Sequence, residues 1–401
     1  MTSANPQPDA VPPGEVIVHV FGRTDVGRVR DHNEDSFLVA DLTADNASLQ
    51  PEVRTHLAGS HGSLFMVADG LGGAAAGEVA SELAILTVQS ELRAQWRSAP
   101  ERTPEVFARA IKSAAEAANA KIFAYAVEHP ESRGLGTTAT IAGLLGDTLY
   151  LAQVGDSRAY LVRNGVALQI TKDQSLMQRL IEAGELTPEE AERSERRNII
   201  LQALGPEPTV KIDLTHQKVR KGDTLVLCTD GLSGLVRKDE IAEILQESND
   251  DLLTACKELI DRANENGGPD NITVIVARFD GDGLSVPENE ESVGHAVFPL
   301  PGSATPSTPR HRFVDGPSAP FRRRNTAAVA ATPPEPASAD APPPVTPRPM
   351  STKGRSILFL IAGVLLAITI LLALRIYKTG VIHRTKPEPV HPTPADSGVR
   401  A

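Results

Sequence analysis

Four apolar runs in this chain each meet an acidic turn. Leu64-Phe65-Met66-Val67-Ala68 runs into Asp69-Gly70, and Leu149 to Val154 runs into Gly155-Asp156-Ser157. Leu225 to Thr229 runs into Asp230-Gly231, and Gly268-Pro269-Asp270-Asn271 stands just before Ile272–Arg278. Each run has the length and composition of a buried strand. One such junction is ordinary, because Asp-Gly and Asp-Asn form turns. Four of them constrain the fold, since strands lying side by side in packed sheets gather distant carboxylates at one edge.

Further strand patterns cover Val16–Phe21, Ser36–Ala40, Thr138–Leu145, Ala159–Arg163, Val166–Ile170 and Thr209–Thr215, with Asn164-Gly165 as a type I′ hairpin turn. Helical patterns occupy Gly77–Gln95 and Thr103–Glu128, the second with Thr103 as N-cap and Pro104 at the first helical position. Two more, Lys238–Gln246 and Asp250–Asn264, precede the last strand. Strand runs with helices in pairs predict an α+β fold: a central antiparallel β-sandwich flanked by helix pairs, rather than βαβ alternation.

A gathering of carboxylates needs a counter-charge. Two of them 4 Å apart repel by roughly 4 kcal/mol at an effective dielectric of 20. Either several are protonated at neutral pH or cations lie among them. Ligands that are all oxygen select hard ions, Mg²⁺ or Mn²⁺, over zinc. Two such ions sharing a carboxylate can activate water for in-line attack at phosphorus. Upstream, Arg28-Val29-Arg30-Asp31-His32-Asn33-Glu34-Asp35-Ser36 offers a guanidinium for phosphate and spare carboxylates in Glu34 and Asp35. Arg30 is the better phosphate candidate, being nearer the acidic group and the following strand.

Several classes of function are excluded. A net charge of −11 over 401 residues has the wrong sign for a general nucleic-acid binder, and 4% aromatic content is thin for base stacking. Cys228 and Cys256 are too few for a disulfide framework or a four-thiolate zinc site, and suit a reducing compartment. Cys256 and Arg262 have the spacing of thiol phosphatases, but Lys257 to Asp261 between them read as helix, so both cysteines are read as core. Gly70-Leu71-Gly72-Gly73-Ala74-Ala75 fits a dinucleotide fingerprint, yet that fold leaves Asp156, Asp230 and Asp270 without a role.

The ordered motifs resemble the metal-dependent serine/threonine protein phosphatases, the type-2C family, in its bacterial form. They are Arg30-x-x-Asn33-Glu34-Asp35-Ser36, Val67-Ala68-Asp69-Gly70-Leu71-Gly72-Gly73, Gly134-Leu135-Gly136-Thr137-Thr138, Gly155-Asp156-Ser157-Arg158, Thr229-Asp230-Gly231-Leu232 and Gly268-Pro269-Asp270-Asn271-Ile272-Thr273. The resemblance implies four layers, α-β-β-α, and a two-ion centre of Mn²⁺ or Mg²⁺ with a possible third ion. It implies that Asp69 bridges the ions and the Gly70 carbonyl ligates one. Asp230 and Asp270 hold the other, and Glu34 reaches it through water. Asp156 with Asp230 matches the third position, Arg30 grips phosphate, and Asp35 belongs to the catalytic group. Lys172-Asp173-Gln174-Ser175 and the helices up to Leu204 resemble the family's flap. Ala74 departs from the family's histidine, so a proton for the leaving oxygen has to come from elsewhere. The Asp41–Ser63 connection, with Thr55, His56, Ser60 and His61, reads as a surface insertion.

The predicted domains are a tail over 1–14, a catalytic domain over 15–281, a linker over 282–352, a transmembrane helix over 356–376 and a polar tail over 377–401. Residues 283–350 hold 15 of the 31 prolines, so little apolar surface is left to offset ordering. Ile357 to Leu374 is 18 residues without a charge, flanked by Lys353, Arg355, Arg375 and Lys378, enough to cover most of a ~30 Å hydrocarbon core. The N-terminus has no signal-peptide pattern. The expectation is a single-pass membrane protein with a monomeric catalytic domain in the cytoplasm, acting on phosphorylated proteins such as Ser/Thr kinases and their substrates, without nucleic acid. The alternative is a tethered pseudophosphatase that binds phosphoproteins without turnover. Lost ligands would mark it, and every candidate ligand is present.

Overall fold

The computed structural model describes residues 14–44, 55–72, 76–132, 134–194, 196–288 and 293–300. The strands are β1 (Val16–Asp25), β2 (Asp35–Asp41), β3 (Thr55–Ala58), β4 (Ser63–Leu71), β5 (Gly136–Thr137), β6 (Ala139–Leu145), β7 (Thr148–Val154), β8 (Arg158–Arg163), β9 (Val166–Gln169), β10 (Asp213–Lys218), β11 (Thr224–Cys228) and β12 (Ile272–Asp280). The helices are α1 (Ala76–Arg97), α2 (Pro104–Glu128), α3 (Leu176–Glu182), α4 (Pro188–Glu192), α5 (Asp230–Ser233), α6 (Lys238–Glu247) and α7 (Leu252–Glu265). One antiparallel sheet has the order β3-β1-β12-β11-β8-β9, the other β10-β7-β6-β4-β2 with β5 paired to β4.

Period-two alternation builds the layers. In β4, Leu64, Met66 and Ala68 join the core under α1 and α2, while Phe65 and Val67 point between the sheets. In β12, Ile275, Ala277 and Phe279 point between the sheets, while Val274 and Val276 pack toward α6 and α7. Both faces of these strands are therefore buried, which is why they read as continuous apolar runs. The order is helix pair, sheet, sheet, helix pair. Cys228 and Cys256 are buried in the core beneath α6 and α7. Thr103 caps α2 by accepting from Val106 N at 3.3 Å, with proline in the first turn, as its sequence predicts.

Three boundaries differ from the sequence reading. The strand expected at 209–215 lies at Asp213–Lys218, because its register is set by β7, from Lys218 opposite Thr148 to Asp213 opposite Gln153. The Asp41–Ser63 connection is not only a surface insertion. It contributes β3, which extends the first sheet along Val16–His19 of β1, and His56 Nε2 lies 2.7 Å from Ser63 Oγ. This is the end of β1 away from Asp25, so Thr55 and His56 take no part in the acidic edge.

The domain also runs past the expected limit at 281. Leu284 is buried, and residues 296–298 pair with the open edge of β10. His216 N donates to Ala296 O at 2.9 Å, and Phe298 N donates to Leu214 O at 2.9 Å. The Phe298 ring sits edge-on to Tyr150, with centroids 5.3 Å apart. A linker beginning at 282 would leave those partners bare. The proline-rich stretch beyond 300, Ala74, the 356–376 span and the two predicted tails (apart from Gly14) lie outside the described residues. Among the described residues no helix is long and apolar enough to cross a membrane.

Phe298→Ala in the full chain should lower the unfolding free energy by about 1–2 kcal/mol, roughly half the loss for a fully buried phenylalanine. Denaturant unfolding measures it, and an unchanged midpoint would mean that 293–300 adds nothing to the fold.

Candidate metal centre

The interior between the sheets is apolar over most of its length and polar at one end. The alternation that directs Phe65 and Val67 inward carries on to Asp69, and β2 places Asp35 directly opposite it in the ladder. From the facing sheet, Leu225 and Leu227 of β11 lead to Thr229, and Ile275 of β12 follows Thr273. Both threonine hydroxyls donate to Asp35 Oδ2, at 2.8 Å from Thr229 and 2.7 Å from Thr273. Asp35 thus joins the two sheets through its carboxylate.

A second polar layer holds the neighbouring turns. Thr138 Oγ1 accepts from Asp69 N at 3.0 Å and lies 2.8 Å from Ser157 Oγ, next to Asp156. Thr137 Oγ1 donates to the Asp69 carbonyl at 2.9 Å. Thr140 and Gln153 tie Ser157 O into the same network, at 3.0 and 2.7 Å. These groups are all buried, and each has a partner, as a low-dielectric interior requires.

The rim is set by the 26–34 loop. Asn271 Nδ2 donates to Val26 O and His32 O, and its Oδ1 accepts from Glu34 N at 2.8 Å. Gly70 N donates to Glu34 O at 3.1 Å. A Cβ on Gly70 would lie 2.2 Å from Gly77 O, so only glycine lets the start of α1 approach this turn. Arg30 Nη2 donates to Asp270 Oδ2 at 2.8 Å, and Arg30 Nη1 lies 3.9 Å from Glu34 Oε2. With its side chain 46% exposed, Arg30 can present its remaining donors outward. Arg28 is held differently, its backbone N donating to Gly268 O at 2.7 Å.

The electrostatics follow from burial. Desolvation, opposed by the two threonine hydroxyls and reinforced by Asp230 and Asp270, pushes Asp35 up to about 7. Burial, then Asp230 and Asp173, lift Asp156 to about 7 against the pull of Arg158. Asp69 is held well above the carboxylate range by burial and by Asp35, Asp230, Asp156 and Asp270. Asp230 is raised by burial and Asp270, with relief from a hydrogen bond to Asp69. Glu34 is raised by burial, less the attraction of Arg30. The structure therefore brings Asp35, Asp69, Asp156, Asp230 and Asp270 within electrostatic reach, with Glu34, Gly70 and Arg30 along the rim.

Oxygen donors under mutual repulsion suit a hard divalent cation in chemistry and in charge. Among the described residues no three acidic or imidazole side chains are already closed into a ligand cage. Asp270 is engaged by Arg30, and Asp69 and Asp230 lie near enough for each to perturb the other's charge. Thr138, Thr229, Thr273 and Asn271 lie within the sequence motifs, and the structure gives each of them a holding role there. Thr229 and Asn271 each adjoin an aspartate and Thr273 lies three residues after Asp270, whereas Thr138 has no acidic neighbour in sequence and reaches Asp69 only through the fold.

The family model for protein phosphatase 2C matches residues 45–271. The chain belongs to the protein phosphatase 2C family. With membership comes the class of activity, metal-dependent dephosphorylation of proteins. The match begins after β2, so Arg30, Glu34 and Asp35 precede it. A serine/threonine phosphatase stp of Listeria monocytogenes is 37% identical over 264 residues, covering 66% of this chain and 96% of the relative. The crystal structure of the Mycobacterium tuberculosis serine/threonine phosphatase PstP/Ppp is 36% identical with a TM-score of 0.56, over 66% of this chain and 99% of that one. A catalytic domain of PstP in complex with two manganese ions is 35% identical with a TM-score of 0.53, over the same 66% and 99%.

A pH dependence follows. An aspartate whose native pKa lies above its unfolded value binds more protons folded than unfolded between the two values, so its contribution to stability falls as pH rises. For Asp35 the window runs from about 4, the unfolded value, to about 7. In chelator, the melting temperature of Asp35→Asn should fall less over this window than that of the unaltered chain. Parallel curves in differential scanning calorimetry would contradict the raised pKa.

Proposed function

We propose that this phosphatase hydrolyses phosphoserine and phosphothreonine on other proteins by direct attack of water, without a phosphoenzyme intermediate. The observation that carries the reading is the facing pair Asp35 and Asp69 at the end of the sandwich, with Asp35 held by Thr229, the residue just before Asp230. Thiol chemistry has no comparable support. Burial pushes both cysteines up to about 12, far from the thiolate a nucleophile needs.

Asp69 would bridge two divalent ions, with the Gly70 carbonyl on one and Asp230 and Asp270 on the other. Glu34 would act through water, and Asp156 with Asp230 would hold a third ion. Bound Mn²⁺ or Mg²⁺ supplies neutralising charge and a nucleophilic water at neutral pH. Arg30 orients the phosphate, its guanidinium already steadied by Asp270 and Glu34. Asp35, hydrogen-bonded to both threonines, fixes the β2 side of the site and can hold a proton near Asp69. The Asp69 backbone is fixed at both its N–H and its carbonyl by Thr138 and Thr137, which limits drift of the bridging carboxylate.

The proposal extends to the tether. Residues 356–376 act as one transmembrane helix, and the proline-rich stretch after Leu300 links them to a monomeric catalytic domain on the cytoplasmic side. Support comes from the 18 uncharged residues Ile357–Leu374 between basic flanks. Substrates are then phosphoproteins near the membrane, Ser/Thr kinases among them.

Phosphopeptide turnover should vanish in EDTA, return with Mn²⁺, and be lost in Asp69→Asn with the circular dichroism spectrum kept. Phosphopeptide binding without turnover in Mn²⁺ would support the pseudophosphatase instead. On fractionation, the full chain should sediment with membranes and a chain ending at residue 350 should not. Equal partitioning of the two would refute the tether.

A further inference from the structure

The excursion from Thr171 to Leu204, carrying α3 and α4, leaves the sandwich after β9 and returns before β10. One end is seated on the turn that carries Asp156, the other on β5, whose Thr137 holds the Asp69 carbonyl. At the outgoing end, Gln174 N donates to Gly155 O at 2.8 Å, and Gln174 Oε1 accepts from Gly155 N at 3.0 Å. One residue thus takes up both backbone groups of the glycine that precedes Asp156. The Gln174 Nε2 donates to Asp213 Oδ2 at 3.0 Å on β10 and to Gln153 O at 3.3 Å on β7.

At the returning end, Leu201 N donates to Gln174 O at 2.7 Å, which closes the excursion on the same residue. Leu204 then pairs with Thr137, whose hydroxyl holds the Asp69 carbonyl at 2.9 Å. Gly155 itself has φ +96°, and a Cβ there would lie 2.6 Å from Thr138 Cγ2. The turn can therefore carry no side chain at that point, and Gln174 braces it from outside. Beside this contact, Arg158 and Asp173 form an ion pair with Nη2 to Oδ2 at 2.7 Å, joining the same two segments.

We propose that Gln174 is a positioning residue. It locks the turn bearing Asp156 to the root of the 175–201 excursion, so that the seating of the excursion and the placement of the Asp156 carboxylate change together. The seating stands on the geometry alone, and its consequence for metal uptake rests on the proposed function. An amide is needed, since one group must accept from Gly155 N–H and donate to Asp213 at once. A carboxylate could only accept, and would face Asp213 with like charge. An alkyl side chain would leave the Gly155 N–H and the Asp213 oxygen without this partner.

The test is hydrogen exchange read by mass spectrometry on the full chain, with Mn²⁺ uptake followed by calorimetry. Gln174→Ala should speed exchange at both 155–157 and 175–201 by about tenfold, the loss of roughly one hydrogen bond, while leaving β4 and β12 protected. Mn²⁺ affinity should weaken by about tenfold, as when a group behind a ligand is removed. Gln174→Glu should do the same. The double variant Gln174→Glu with Asp213→Asn exchanges amide and carboxylate, remakes the 174–213 pair but not the bond to Gln153 O, and should restore part of the protection in both segments. Faster exchange confined to 175–201 would show that Arg158–Asp173 holds the turn unaided and would overturn the proposal. So would a double variant no better than Gln174→Glu alone, and this comparison decides the matter if Gln174→Ala does not fold. Absence of Mn²⁺ uptake by the unaltered chain would count against the proposed function and leave the exchange result to stand.

Discussion

The Asp35 carboxylate, buried between two sheets and held by the hydroxyls of Thr273 on β12 and of Thr229 just past the end of β11, is the interaction on which the site depends. It fixes the distance between the sheets at the end where their interior stops being apolar. Everything along β2, β4, β11 and β12 up to that level is an ordinary sandwich core of interdigitating Val, Leu, Ile and Phe. At that level the same inward-facing positions are taken by Asp35, Asp69, Thr229 and Thr273. The backbone geometry does not change there. Only the side chains do, and a sheet interior becomes a place where charge is concentrated.

Concentrating charge has consequences that the fold has to accommodate. The threonine hydroxyls and the backbone N–H groups compensate part of the desolvation, and Arg30 and Arg158 lie close enough to stabilise the ionised forms. The remainder appears as carboxylates held above their usual range, led by burial in each case. Such a site binds cations by releasing protons and relieving repulsion together. Stability, metal uptake and protonation are thus one linked equilibrium, and the surrounding hydrophobic layers supply the rigidity that keeps the acids from relaxing apart.

The periphery is organised around the same end. The 26–34 loop is stitched to Asn271, and the 171–204 excursion is rooted through Gln174 and Leu204 on the turns before Asp156 and behind Asp69. At the open edge of β10, the strand that carries Asp213, the chain adds residues 296–298. Elements that differ in sequence separation by more than a hundred residues therefore meet within a few hydrogen bonds of the acidic group.

The sequence by itself determined most of the strands, the helix pairs and the acidic residues at the strand ends, because period-two and three-to-four periodicities and turn chemistry are local properties. It also marked Asp69, Asp156, Asp230 and Asp270 as a group, since each interrupts an apolar run at its end or stands just before one. Only the tertiary structure decided that Asp35 faces Asp69 and is bridged by Thr229 and Thr273, that the domain extends to Leu300, and that Thr55–Ala58 completes a sheet edge. Those outcomes rest on strand order and register, which are set by pairings between residues far apart in the chain. A hydroxyl one position from an aspartate looks the same in sequence whether it faces solvent or a carboxylate across the sandwich.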